Sequence, residues 1–296
     1  MALSISNTIT DSAGRELLEY GTPEFPIAFY LDDLDEVEVP WHWHSQFELV
    51  ITTQGAQRIS AGGNEYVLKE GDSLLLNSGV LHSAVPLESH TLQHVMVFDA
   101  TVLGEPSSIY YRRYLLPFMR NPSVSVLVFH KETDWQSKIT QLAEEAFHAG
   151  AYDVPLGELI VRDSLSMIFR QILSHEDSLS SNLPLGSDRD ITRAKQMIRY
   201  MEEHVSEELS LTEIAADCHL SVSEALRCFK RIMNTSPIRF LNQLRLRKAG
   251  EQLTTTDRPI NEIAAQCGFH DMSYFTRVFK AEKHMTPTQY RKKTGT

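Results

Sequence analysis

The chain has 296 residues, 42% hydrophobic and 23% charged, an ordinary globular composition with length for about two domains. A net charge of -11 argues at first against a nucleic-acid partner, but residues 188–296 hold 18 Lys+Arg against 14 Asp+Glu, whereas residues 1–187 hold 10 against 25. A basic end on an acidic body signals a nucleic-acid-binding end, with the acidic part repelled from phosphate.

In chain order, Met1 to Tyr20 lacks the charged-then-apolar order of a signal peptide. No apolar run reaches the length of a membrane span, so the expectation is a cytoplasmic protein without a membrane partner. From about Phe25 to Phe129 short alternating or apolar runs are separated by glycine turns, a β pattern. The clearest predicted strands are Phe47–Thr53, Ala56–Ser60, Glu65–Leu68, Ser73–Leu76 and Leu92–Phe98. Ala61-Gly62-Gly63-Asn64 is a hairpin signal and Glu70-Gly71-Asp72 a second turn. Strands this short and closely spaced predict a sandwich or barrel.

Within that region Trp41-His42-Trp43-His44-Ser45-Gln46-Phe47-Glu48 precedes Gly55, Gly71-Asp72 and Asn77-Ser78-Gly79-Val80-Leu81-His82. By strand parity His42, His44 and Glu48 share a face, and Trp41, Trp43, Phe47, Leu49 and Ile51 take the other. That parity makes the two tryptophans barrel core. His82, from a later strand, completes three imidazoles and a carboxylate, a set suited to Zn, Fe, Mn or Ni. The pattern resembles both cupin motifs, and the resemblance implies a barrel whose four matched side chains point into a cavity. Three readings follow: a divalent metal on His42, His44, Glu48 and His82; a small polar effector such as a sugar near His42, His44, Glu48, Arg58 and His82; or hydrogen-bonding support for the barrel. The effector reading is preferred, because motif matches alone carry a false-positive risk.

Trp135–Ala149 and Leu156–Ser174 read as amphipathic helices. Ile139, Leu142, Ala143, Ala146 and Phe147 make the apolar face of the first; Leu159, Ile160, Leu165, Ile168, Phe169 and Ile172 make that of the second. These faces serve as core or as a dimer surface. Glu176–Asp188, with four serines and a proline, reads as an interdomain linker.

The last third contains a duplication. Glu213-Ile214-Ala215-Ala216-Asp217-Cys218 returns as Glu262-Ile263-Ala264-Ala265-Gln266-Cys267, Arg227-Cys228-Phe229-Lys230 as Arg277-Val278-Phe279-Lys280, and Ser236-Pro237 as Thr286-Pro287. Two copies are too few for a solenoid, so a tandem pair of helix-turn-helix units is predicted, at Ser210–Met233 and Pro259–His284. Ser210 to Glu213 and Ser221 to Glu224 have the form of capping boxes. Pro259 suits a first turn, Gly268 supplies a turn, and Asp271 caps the next helix. Ala225, Cys228, Phe229 and Ile232 form one inward stripe and Phe275, Val278 and Phe279 the other. Ser223, Leu226, Arg227 and Lys230, with Met272, Ser273, Thr276 and Arg277, are then left for the major groove of double-stranded DNA. A helix from Pro237 to about Leu253 separates the modules. Cys218, Cys228 and Cys267 show no disulfide spacing and read as small core residues rather than a redox switch.

The run Gly268-Phe269-His270-Asp271-Met272-Ser273-Tyr274-Phe275-Thr276-Arg277-Val278-Phe279-Lys280, followed by Thr286-Pro287-Thr288-Gln289-Tyr290-Arg291, resembles the signature of AraC/XylS-type transcription regulators over about Asp190 to Lys293. Departures from that signature are Asn234 and His284, where glycine is usual before the Thr-Pro step, and Ala225 and Leu226 in the first reading helix. The resemblance implies a non-enzymatic regulator with DNA, a small-molecule effector and RNA polymerase as partners, and a homodimer as a family-level expectation. The expected fold is α+β multidomain. It combines a cupin-like β-barrel (double-stranded β-helix, 1–132), a helical linker or dimerisation region (133–176), a flexible linker (177–188) and an all-α tandem helix-turn-helix domain (189–296). The alternatives are a metal-dependent cupin enzyme fused to a DNA-binding tail, or a constitutive regulator whose barrel only dimerises.

Overall fold

A computed structural model describes residues 3–4, 8, 10, 14–17, 20–121, 124–175, 188–233, 235–283 and 285–294. The chain divides into two units, Met1–Ser187 and Asp188–Thr296. Of the predicted linker Glu176–Asp188, residues 176–187 lie outside the described residues, as do the departures at Asn234 and His284, whereas Asp188 is the first residue of a helix rather than linker.

In the first unit the strands are β1 (Ile27–Asp33), β2 (Val39–His42), β3 (Phe47–Gln54), β4 (Ala56–Ala61), β5 (Asn64–Lys69), β6 (Ser73–Leu76), β7 (His82–Pro86), β8 (Leu92–Phe98) and β9 (Val126–Phe129). They pair antiparallel in two sheets, ordered β1-β8-β3-β6-β9 and β2-β7-β4-β5. The five-stranded sheet is buried on both faces. Ala28, Tyr30, Val50, Leu74, Leu76, Val95 and Val97 pack inward with Ile59 and Leu68 of the second sheet. Phe29, Phe47, Leu49, Ile51, Met96 and Phe98 pack outward beneath two helices, α2 (Asp134–Ala151) and α3 (Gly157–Ser174). Double burial explains why β3 is a continuous buried run rather than an alternating one.

Three expectations need correction. The β pattern expected from Phe25 to Phe129 is interrupted: a π-helical turn Tyr111–Leu115 runs into α1 (Leu116–Arg120), anchored by Leu115 and Phe118 in the outer core. Leu159 is 55% exposed, because α3 is phased to bury Val161, Leu165, Ile168, Phe169 and Ile172. Trp41 and Trp43 are only half-buried. β2 is an edge strand, and the outer face of its sheet carries Val67 and Val85, both exposed, with no layer over them among the described residues. Arg15 instead stacks on the Trp43 ring at 5.8 Å.

The second unit contains α4 (Asp188–Glu203), α5 (Leu211–Asp217), α6 (Val222–Met233), α7 (Pro237–Thr255), α8 (Ile260–Gln266), α9 (Met272–Lys283) and α10 (Pro287–Thr294). Capping fixes the starts. Ser210 and Glu213 form a reciprocal capping box, and Ser221 with Glu224 repeats it. Asp271 accepts from the amides of Ser273 and Tyr274, and Thr286 exchanges bonds with Gln289. Pro259 sits one residue before α8, as its N-cap.

α5 and α8 end alike. Leu220 N–H bonds to Ala215 O and His219 N–H to Ala216 O; Phe269 N–H bonds to Ala264 O and Gly268 N–H to Ala265 O. This is the Schellman pattern, whose C′ residue is left-handed: His219 at φ 54° in one module and Gly268 at φ 81° in the other. The shared helix α7, 19 residues or about 28 Å long, joins the modules. Its buried Arg245 donates to the carbonyls of Val205 (2.9 Å) and Glu207 (2.6 Å) in the α4–α5 loop. The three cysteines are buried, and burial pushes each thiol up to about 11, which leaves them unreactive core residues.

Candidate ligand cluster and nucleic-acid interface

Glu48 enters the first unit's interior from β3, beside inward-facing Val50, because residues of equal parity share a face. His42 and His82 are opposed residues of β2 and β7 in the other sheet. His44 stands in the short connection between β2 and β3, so the motif is split between two sheets rather than carried by one strand. Even so, the donor atoms of His42, His44, Glu48 and His82 all lie within 4.8 Å of one another, and all four residues are buried.

Each imidazole is oriented by its own backbone. Nδ1 of His42 meets Pro40 O at 2.8 Å, Nδ1 of His82 meets Val80 O at 2.9 Å, and Nδ1 of His44 meets Gln46 O at 3.1 Å. A carbonyl only accepts, so each Nδ1 carries the proton, and the Nε2 atoms of His44 and His82 face Glu48. His44 Nε2 is 2.9 Å and His82 Nε2 2.8 Å from Glu48 Oε2. The His82 approach has ion-pair distance without hydrogen-bond alignment, so among the described residues its buried Nε2 has Glu48 as an ionic neighbour and no aligned hydrogen-bond partner.

Burial works against ionising Glu48, but His82 and His44 outweigh it and hold the carboxyl well below its usual range. For His82 burial lowers the pKa, yet the neighbouring Glu48 charge prevails and raises it. His42 is driven well below its usual value by burial, with His82 adding repulsion.

Beside the cluster is a cavity of about 40 Å³ lined by Glu16, Tyr30, Asp32, His42, Glu48 and Gln93, among others. Glu16 Oε2 is 3.9 Å from His42 Nε2 and accepts from the Tyr20 hydroxyl, and burial raises its pKa. Gln93 donates to Asp32 at 2.9 Å, while its own buried Oε1 has no hydrogen-bond partner among the described residues. Glu16, Asp32 and Gln93 were missed in the sequence. For Asp32 and Gln93 the signal is a polar residue at an inward parity position, as in Gln93-His94-Val95-Met96-Val97; Glu16 lies outside the strands and carries no such signal. Arg58 is not brought to the cluster: it pairs with exposed Val67 and Val85 and meets Glu65 at 3.5 Å.

In the second unit Ala225, Cys228, Phe229 and Ile232 of α6 are buried, as are Phe275 and Phe279 of α9, with Val278 half-buried. Ser223, Arg227 and Lys230 of α6 and Met272, Ser273 and Arg277 of α9 are exposed; Leu226 and Thr276 are half-buried. Arg277 lies 5.4 Å from the Tyr274 ring centroid, a cation–π contact on that exposed face.

Residues 24–99 match the AraC-like ligand binding domain family, and residues 214–293 match the helix-turn-helix domain family. The HTH-type transcriptional activator RhaS of Klebsiella pneumoniae is 31% identical over 261 residues, covering 87% of this chain and 89% of that protein. The uncharacterized HTH-type transcriptional regulator YdeC of Bacillus subtilis is 26% identical over 293 residues, covering 97% of this chain and 99% of that protein. Among solved structures, ToxT from Vibrio cholerae aligns over 90% of this chain and 97% of its own, with 13% identity and a TM-score of 0.44. Among the described residues no helix is long and apolar enough to cross a membrane. The relatives are transcriptional regulators rather than enzymes, and with these two domains in this order the chain belongs to the AraC family of helix-turn-helix transcription regulators.

Proposed function

We propose that this regulator is a cytoplasmic transcriptional activator that places α6 and α9 in successive major grooves of its operator, under the control of a small polar ligand bound in the barrel. The DNA reading is carried by one observation: equivalent arginines, Arg227 and Arg277, stand exposed on the reading helices of both modules. Arginine can make a bidentate contact to guanine, which discriminates against other bases by about 1–3 kcal/mol. Ser223, Leu226, Lys230, Met272, Ser273 and Thr276 supply the surrounding base and phosphate contacts.

The ligand reading is supported by the buried cluster. Three imidazoles with fixed Nδ1 protons and one carboxylate, their donor atoms within 4.8 Å of one another, suit a divalent transition cation. His42, His44, Glu48 and His82 would hold the ion, and its positive charge would anchor an oxygen-rich effector. Asp32, Glu16 and Gln93 would then accept from ligand hydroxyls, which favours a sugar or similar polyol. The cavity of about 40 Å³ takes water-sized guests, whereas ligand pockets run to roughly 300 Å³ or more. A sugar therefore requires the lining to move, and Thr8, Glu16 and Val37 are the lining residues outside the nine strands, with Glu16 tied to Trp43 O by its N–H at 2.9 Å. Effector binding then changes operator affinity or contact with RNA polymerase through its differential affinity for the two arrangements.

Arg227→Ala and Arg277→Ala test the DNA reading. Each is expected to cost about 1–3 kcal/mol on the cognate operator, with the loss confined to one position of the site. Equal weakening on every duplex by both variants would reassign these arginines to phosphate.

A further inference from the structure

We propose that His94, Glu144 and His148 form a divalent-cation site outside the barrel, clamping α2 onto β8. The inference rests on geometry separate from the barrel cluster and does not depend on the ligand proposed there. Gln93 and Val95 of β8 line the interior cavity, so His94 between them projects from the opposite face of the strand, toward α2. Glu144 and His148 are four residues apart on α2, and that spacing puts both on one side of the helix.

A single oxygen, Glu144 Oε2, lies 2.9 Å from His94 Nδ1 and 3.6 Å from His148 Nε2, and the three donor atoms fall within 4.8 Å of one another. Donors about 2.1 Å from one ion stand roughly 3.0–3.4 Å apart in octahedral or tetrahedral geometry, so small side-chain adjustments are enough to admit it. The rings are also held in place. His94 stacks on fully buried Phe147 at 3.9 Å and 8°, and His148 stacks on Tyr152 at 5.5 Å. His94 and Glu144 are largely covered, whereas the His148 side chain is 58% exposed, which leaves open positions that water can fill. Two imidazoles and one carboxylate select borderline cations such as Zn²⁺, Ni²⁺ or Co²⁺ over Mg²⁺ or Ca²⁺.

The test uses the full-length chain without an affinity tag, loaded with Zn²⁺ or Co²⁺ and freed of excess metal. Wild type and His148→Ala are compared for bound metal per chain and for the metal-induced rise in melting temperature. Because His148 is exposed, the variant is expected to melt like wild type when metal-free. The expected result is one ion fewer per chain in His148→Ala, whether or not the barrel cluster is also loaded, with a smaller thermal shift. Glu144→Gln should reproduce that deficit. Equal metal content in wild type and both variants overturns the site.

Discussion

Gly268→Ala is expected to destabilise the second unit by about 2–5 kcal/mol and to abolish operator binding. A left-handed backbone costs a residue with a side chain roughly 1–2 kcal/mol, and overpacking adds about 1–3 kcal/mol. Both apply here: φ is 81°, and a Cβ would sit 2.5 Å from Val205 O and 2.7 Å from Arg245 Nε. The intruding methyl therefore strikes the junction at which Arg245 ties α7 to the α4–α5 loop. His219 occupies the equivalent turn of the other module at φ 54°, is exposed, and already bears the left-handed cost. Its replacement by glycine should accordingly stabilise, by about 0.5–1 kcal/mol. Tryptophans 41, 43 and 135 all lie in the first unit, so the two units can be followed separately. In Gly268→Ala the larger part of the far-UV helical signal, carried by α4 to α10, should be lost at lower urea, while the tryptophan transition and the helical signal of α2 and α3 stay fixed. An unchanged helical transition would mean that the turn carries none of the assigned strain.

Glu48→Ala should have the opposite signature. Removing one partner from a buried charge pair typically costs about 3–5 kcal/mol, because the remaining charge is left uncompensated. Here the carboxylate faces His44 and His82, and each lies within 3 Å of it. The tryptophan transition should move to lower urea, with the helical transition of the second unit in place. Glu48→Gln, which keeps the shape and loses the charge, should recover part of the stability but none of the response to metal or polyol. A Glu48→Ala protein as stable as wild type would show that the imidazoles are not held against an anion.

The fold was legible where chemistry is local. Capping boxes at Ser210 and Ser221, the cap at Asp271, the turn at Gly268 and the inward stripes of α6 and α9 are set by residues within one or two helical turns of one another. The cluster was legible as a residue set but not as a placement. Parity put His42, His44 and Glu48 on one strand, whereas the chain leaves β2 after His42 and enters the other sheet at Phe47. The four donors still meet, because the two sheets face each other. The fate of Trp41 and Trp43 depends on whether a layer covers the second sheet, and strand periodicity does not encode that. Glu16 and Tyr20 reach the cluster from a segment without a strand pattern, so only the tertiary fold brings them there.

The most direct measurement is selection of preferred duplexes from a random pool by the full-length protein at moderate ionic strength. Two heads on one polypeptide should enrich a bipartite site whose halves are about 10 base pairs apart, centre to centre, with one half lost in Arg277→Ala. Enrichment of a single short element that tolerates Arg277→Ala, or of no element at all, would contradict the paired-reader account.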